Sequence, residues 1–221
     1  EAIDLDTGSY SKALRPKVEI VKKAGRKNPR KVLMDESPAG QYAWSVMSKT
    51  LSYAASLVPE VSEDIDAIDK AMCLGYNWKY GPFELLDQIG SKWFCEKLES
   101  EERTLPALLS KIKGSSFYQR EEGVREVYRS TGEYRAIKSP SGILKLEDIK
   151  AQSKPVLSNP SASLWDLGDD ILCLEFHSKM NSLNLWTLSM MEKAIDKIAT
   201  SKFKALVVYN DGSNFSVGAN I

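Results

Sequence analysis

From Gln41 to about Lys113, apolar residues return every third or fourth position, the period of helices that each bury one stripe. In QYAWSVMSKTLSYAASLV, the residues Tyr42, Val46, Met47, Thr50, Leu51, Ala54, Leu57 and Val58 fall on one predicted face, and Pro59 ends the segment. SEDIDAIDKAMCLG predicts a second helix. Ser62 suits the N-cap, acids crowd the positive end of the dipole, Ile65, Ile68 and Met72 form a stripe, and Gly75 suits the C′ position. In GPFELLDQIG, Pro82 fits a first helical turn, and Phe83, Leu86 and Ile89 share a face. SKWFCEKLES and TLPALLSKIKG complete a helical cluster over 41–113.

The period then changes. SSFYQREEGVREVYRSTGEYRAI alternates aromatic or β-branched residues with charged ones around Gly123 and Gly132, which predicts small hairpins. SPSG and SKPVLSNPSAS are rich in Pro and Ser, so 114–162 reads as a hairpin-containing linker. From Ser163 onward a strand, a Gly168-Asp169 turn, the strand ILCLEF, an amphipathic helix and the strand FKALVVYN give the order ββαβ, an α/β layer over 163–221. Residues 1–40 have little apolar periodicity. Between Lys12 and Lys31 they are crowded with Lys and Arg, and Glu19 is the single acid there, which reads as a basic connector.

Composition narrows the class. A hydrophobic fraction of 43% suffices for a core, and a formal charge of zero argues against a surface built for nucleic acid or an anionic membrane. Cys73, Cys95 and Cys173 lie far apart with no C-x-x-C pair and the apolar runs are too short to span a bilayer, so a reducing cytoplasm is the expected setting.

Few residues offer chemistry. His177 is the one histidine, and no G-x-S-x-G, Walker loop or G-x-G-x-x-G occurs. No metal site is expected: the Cys and His spacing does not suit zinc, and DIDAID lacks the EF-hand glycine. The turn SVGAN after a strand can present unobstructed N–H groups, which an enolate-forming enzyme aims at a thioester oxygen, although the same residues also suit an ordinary turn. Gly218 permits a positive φ, and Ala219 is small enough to let a ligand near its amide.

Two stretches carry a resemblance. EDIDAIDKAMCLGYNWKYGPFELLDQIG resembles the C-terminal helical domain of 3-hydroxyacyl-CoA dehydrogenases, and ILCLEFHSKMNSLN with NFSVGANI resembles the start of an enoyl-CoA hydratase (crotonase-like) domain. The fold expected is therefore α+β: an all-α dehydrogenase C-terminal-like domain, then an incomplete α/β crotonase-like N-terminal portion. The order is similar to that of the multifunctional β-oxidation enzymes, and it implies an excised fragment that is inactive alone.

The resemblance implies that the Ala219 amide forms one arm of an oxyanion hole, with Gly218, Asn220 and Ile221 in the turn around it. It also implies that Ser178, Lys179 and Met180 lie near coenzyme A. For the parent it implies NAD as cofactor, with its site outside these residues, an acyl-CoA thioester as substrate, a homodimer through the helical domain, and a thiolase partner. The helical copy lacks an Asn-Arg pair at its first helix and resembles a packing repeat. Two other readings stay open: a helical association module with a non-catalytic crotonase-like segment, and an acidic-partner binder using Lys12–Lys31.

Overall fold

A computed structural model of the chain describes residues 1–13, 17–25, 28–112, 114–137, 141–212 and 214–219. The chain divides into two compact units, residues 1–119 with 126–136 and residues 120–125 with 137–221. No described helix is long and apolar enough to cross a membrane.

The first unit opens with β1 (Ala2–Ile3) paired to β2 (Tyr10–Ser11), then α1 (Glu19–Ala24) and α2 (Pro29–Leu33). These short elements lie within the stretch read as a connector. Its basic run falls partly outside the described residues, but Ile20 and Leu33 are buried, so two apolar positions suffice to tie it down. Next come α3 (Pro38–Ser56), α4 (Ile65–Tyr76), α5 (Pro82–Ile89), α6 (Ser91–Ser100) and α7 (Ala107–Ile112).

Three local expectations shift. The buried stripe of α3 runs through Trp44, Ser48, Leu51 and Ala55, while Tyr42 and Val46 face solvent. The large Trp44 decides the rotation: its ring packs edge-on against Trp93 and Phe94 at 5.6 and 5.5 Å, and its Nε1 donates to Glu101 at 2.6 Å. Helix α4 begins after Asp64 rather than Ser62, whose Oγ accepts from Asp64 N in a turn before the helix. It ends on left-handed Asn77, not on Gly75.

The third shift concerns the acids of α4. The helix dipole does not explain Asp69, which sits mid-helix and is 3% exposed. Its Oδ1 accepts from Phe83 N at 2.8 Å and its Oδ2 from Glu84 N at 3.0 Å, so it caps α5, the neighbouring helix. Tyr118 adds its hydroxyl to Oδ2 at 2.8 Å. Gly81 has to be glycine because a Cβ there would lie 2.3 Å from the Asp69 side chain. Glu84 reaches back to Gly81 N at 3.2 Å, and Asp87, one turn on, accepts from Phe117 N and Tyr118 N at 2.6 and 2.9 Å. The run G-P-F-E-L-L-D is thus a capping and docking device.

Residues 114–136 hold β3 (Tyr118–Glu121), β4 (Val124–Tyr128) and β5 (Tyr134–Ala136), in sheet order β3-β4-β5. An aromatic ladder Phe83–Phe117–Tyr128–Tyr134 runs from α5 along these strands, with ring centroids 5.1, 6.3 and 5.4 Å apart. Arg129 and Arg135 pair with Glu63 and Asp64, each at 2.6 Å.

The second unit contains α8 (Leu146–Gln152), β6 (Leu157–Ser158), β7 (Ala162–Asp166), β8 (Ile171–Phe176), a 3-10 turn (Lys179–Asn181), α9 (Leu185–Thr200) and β9 (Ala205–Val208). The sheet order is β6-β7-β8-β9, antiparallel except for the parallel pair β8–β9 joined through α9. Alternation along the strands splits the core. Ala162, Leu164, Leu174 and Phe176 pack with Met190 and Ala194 of α9, whereas Trp165 and Cys173 point the other way and pack with Leu146 of α8. Both β6 and α8 come from the stretch read as linker.

Burial pushes the Asp69 carboxyl up to about 6 against its three hydrogen bonds, and burial likewise pushes Asp87 up to about 6. Because the folded values lie above the unfolded value of 3.8, their contribution is complete below pH 3.8 and is lost as pH rises through 6. Unfolding free energies from urea titrations should therefore rise when pH drops from 7.5 to 4.5, by on the order of 2 kcal/mol for Asp69, and Asp69→Asn should flatten the trend. Asp69→Ala removes the acceptor of three hydrogen bonds, that of the buried Phe83 N–H among them, and should cost about 2–4 kcal/mol at neutral pH, measured in the same titration.

Candidate functional site

The residues read as functional gather where β8 and β9 end. Asn210 is 7% exposed, and it organises this end. Its Oδ1 accepts from Phe176 N at 2.6 Å and its Nδ2 donates to Phe215 O at 2.5 Å, which fastens the chain after β9 to the end of β8. Asn181 Nδ2 donates to Asn214 O at 2.9 Å, and Leu183 N donates to Gly218 O at 2.9 Å. Two loops distant in sequence are thereby stitched side by side.

The stitch fixes the direction of one amide. Leu183 and Ala219 form an isolated parallel bridge in which Leu183 donates to the carbonyl one residue before Ala219. In that pattern the residue opposite the donor turns its own N–H and C=O to the far side. Among the described residues the Ala219 N–H donates to no acceptor, and Ala219 is exposed. Gly218 adopts φ 90°, a left-handed value that a side chain would strain, and its N–H is held by Ser216 Oγ at 3.1 Å. Asn220 and Ile221 lie outside the described residues.

A concave site of about 530 Å³ opens beside this amide, lined by Leu183, Asn184, Leu185, Trp186, Leu188 and Ala219. Asn184 caps α9 by accepting from Trp186 N and Thr187 N at 2.9 and 3.1 Å, so the first amides of that helix are already occupied. On the neighbouring loop, Ser178 spends its hydroxyl on Ser182 O at 2.6 Å. Lys179 is exposed without an ion pair among the described residues, and Met180 is exposed with φ 57°. Ser178, Lys179 and Met180 therefore share a loop with Leu183, while their contribution to a ligand site rests on the Lys179 ammonium and on main chain.

Other groups are poor reactive candidates. His177 is exposed, and its Nε2 lies 3.0 Å from Ser163 Oγ, itself 2.9 Å from Ser158 Oγ. Glu175 is 4% exposed, but Lys150 Nζ engages one oxygen at 2.5 Å and Trp165 Nε1 the other at 3.0 Å. Burial pushes the Cys173 thiol up to about 11, which leaves little thiolate at neutral pH. No group of three metal-ligating side chains occurs among the described residues. Nor do these residues suit a dinucleotide: the turn from β8 to α9 contains no glycine, and the Asn184 side chain occupies the α9 amides that a pyrophosphate would need.

Sequence reasoning missed Asn184, Trp186 and Asn210. Asn184 before an apolar run was a legible cap signal. The long-range bonds of Asn210 leave no local pattern to read.

Residues 40–130 match the family described as 3-hydroxyacyl-CoA dehydrogenase, C-terminal domain, a match that runs through α3–α7 into β3 and β4. The whole chain is 39% identical, over 226 residues, to a Bacillus subtilis (strain 168) protein named as a probable 3-hydroxyacyl-CoA dehydrogenase, and covers 28% of it. It is 30% identical over its full length to a Rickettsia felis protein named "Putative fatty acid oxidation complex trifunctional enzyme", covering 27% of that protein. A Rickettsia prowazekii protein of the same name is 31% identical over 86% of the chain, which covers 24% of it. The chain thus has 3-hydroxyacyl-CoA dehydrogenase homologues and spans just over a quarter of the length of the first two. No solved structure matches it.

Asn210→Ala removes both fasteners and leaves the buried Phe176 N–H unpaired, which should cost about 1–3 kcal/mol. Amide exchange at Leu183, whose N–H is held by Gly218 O, should speed up by roughly tenfold or more, as 1.4 kcal/mol of lost protection requires.

Proposed function

We propose, from this kinship and from the unengaged Ala219 amide, that the chain works in fatty-acid β-oxidation. Residues 163–219 form a crotonase-like cradle for the carbonyl of a 2-enoyl-CoA thioester. Addition of water across the double bond passes through an enolate-like anion, in which charge collects on the thioester oxygen. A main-chain donor already aimed at that position needs no reorganisation when charge appears. The Gly218 φ of 90° and the Leu183 stitch hold the donor in place, and the absence of a large side chain at 218 and 219 allows close approach. Lys179, exposed on the adjoining loop, is the group assigned to a CoA phosphate.

Residues 40–130 are, on this reading, the packing domain of an NAD-dependent 3-hydroxyacyl-CoA dehydrogenase. In a protein of this kind the hydratase product is the dehydrogenase substrate, and a thiolase is the partner that would take the oxidised product, in the cytoplasm. NAD is assigned to no residue of this chain. The exposed row Tyr42, Val46 and Tyr53 on α3 favours a second reading for this unit, association with another copy.

The oxyanion assignment is tested by titrating the 15N-labelled chain with acetoacetyl-CoA, whose enolate carries the relevant charge. The Ala219 amide proton should move strongly downfield and stay unmoved with coenzyme A alone. An Ala219 signal indifferent to both would remove the assignment. For the dehydrogenase side, the 221-residue polypeptide alone should reduce no NAD with 3-hydroxybutyryl-CoA in a 340 nm assay, since its one histidine, His177, is engaged by Ser163 in a different unit from α3–α7.

A further inference from the structure

Trp186 is exposed by 55% although its backbone is pinned from both sides. Asn184 Oδ1 accepts from its N–H at 2.9 Å, and Asn159 Nδ2 donates to its C=O at 2.8 Å. Its neighbours Leu185 and Leu188 are exposed by 82% and 49%. An exposed indole on a fixed backbone, flanked by two exposed leucines, keeps apolar area in water that burial would stabilise, an arrangement that marks a surface to be covered. The covering group also has to suit what else borders the cavity. All four large side chains in the lining are apolar, no charged side chain is among them, and Ala219, whose N–H donates to no acceptor among the described residues, lines the same cavity.

A ligand matching both features has a hydrogen-bond acceptor joined to a hydrocarbon. We propose that Trp186, with Leu185 and Leu188, is the specificity wall of this site and selects the acyl group of the thioester, favouring straight chains long enough to lie along the indole. This rests on the reading of Ala219 as the thioester donor. The amide fixes the carbonyl, and the wall begins where the acyl carbons extend from it. A short acyl group leaves the indole wet, whereas a longer one removes both surfaces from water. Because Asn184 and Asn159 hold the Trp186 backbone, the wall needs little main-chain ordering at binding. The wall acts on affinity for the acyl portion and leaves the CoA portion to other contacts.

Calorimetric titration of the 221-residue chain with butyryl-, octanoyl- and dodecanoyl-CoA, with the Ala219 amide signal followed in parallel, tests this. Affinity should climb by roughly tenfold or more from butyryl to octanoyl, since each buried methylene is worth up to about fourfold. In Trp186→Ala, and separately in Leu188→Ala, that climb should fall by about fivefold or more, with butyryl-CoA affinity and the Ala219 shift kept. Trp186→Phe should retain most of the climb. Equal affinity for all three thioesters with the Ala219 shift intact would overturn the wall while sparing the thioester reading. No Ala219 shift with any thioester would overturn both, and protein-concentration-dependent burial of Trp186 would then assign the patch to a second copy.

Discussion

The first unit depends on a carboxylate that belongs to one helix and caps another. Asp69 projects from the middle of α4, and its two oxygens receive the first free amides of α5 and the hydroxyl of Tyr118. An isolated buried carboxylate would be costly, yet here it accepts three hydrogen bonds, one of them from the buried Phe83 N–H. Removing the acid would therefore leave the buried Phe83 N–H without its acceptor. The constraint spreads outward. Gly81 cannot carry a Cβ because Asp69 fills the space, Glu84 closes the capping box, and Asp87 repeats the same device at the start of β3.

The second unit solves a comparable problem with amides instead of acids. Asn159, Asn181, Asn184 and Asn210 each reach across to main chain, and between them they hold the start of α9 and the chain after β9. Neutral amides suit this end, because a carboxylate beside the Ala219 amide would repel the developing negative charge that the amide is proposed to receive. The one buried acid of the unit among the described residues, Glu175, is neutralised by Lys150 and Trp165 on the other face of the sheet from α9. Polar satisfaction and the proposed chemistry thus make the same demand on this end of the sheet.

Long periodic segments were legible because their pattern is local. The helices from α3 to α7 and the hairpins about Gly123 and Gly132 follow from period 3.6, period 2 and turn residues. Less legible were the rotation of α3 and the limits of α4. Those depend on where Trp44 finds other aromatic rings and on which residue tolerates a left-handed φ. The elements α1, α2, α8 and β6 were read as connector or linker because α1, α2 and α8 each bury a single apolar residue and β6 buries none.

By itself the sequence determined the α+β division, the strand–helix–strand order after Ser163, and the glycine that lets Ala219 turn outward. The resemblance of G-P-F-E-L-L-D to the 3-hydroxyacyl-CoA dehydrogenase C-terminal domain was also carried by the residues alone. Only the tertiary structure decided that Asp69 serves α5, that Asn210 fastens the last described loop, and that Trp186 stands beside Ala219. The physical reason is distance along the chain. Helical and strand periods arise from backbone geometry within a few residues, whereas a capping bond from Asp69 to Phe83 or from Asn210 to Phe176 exists only after both segments have packed.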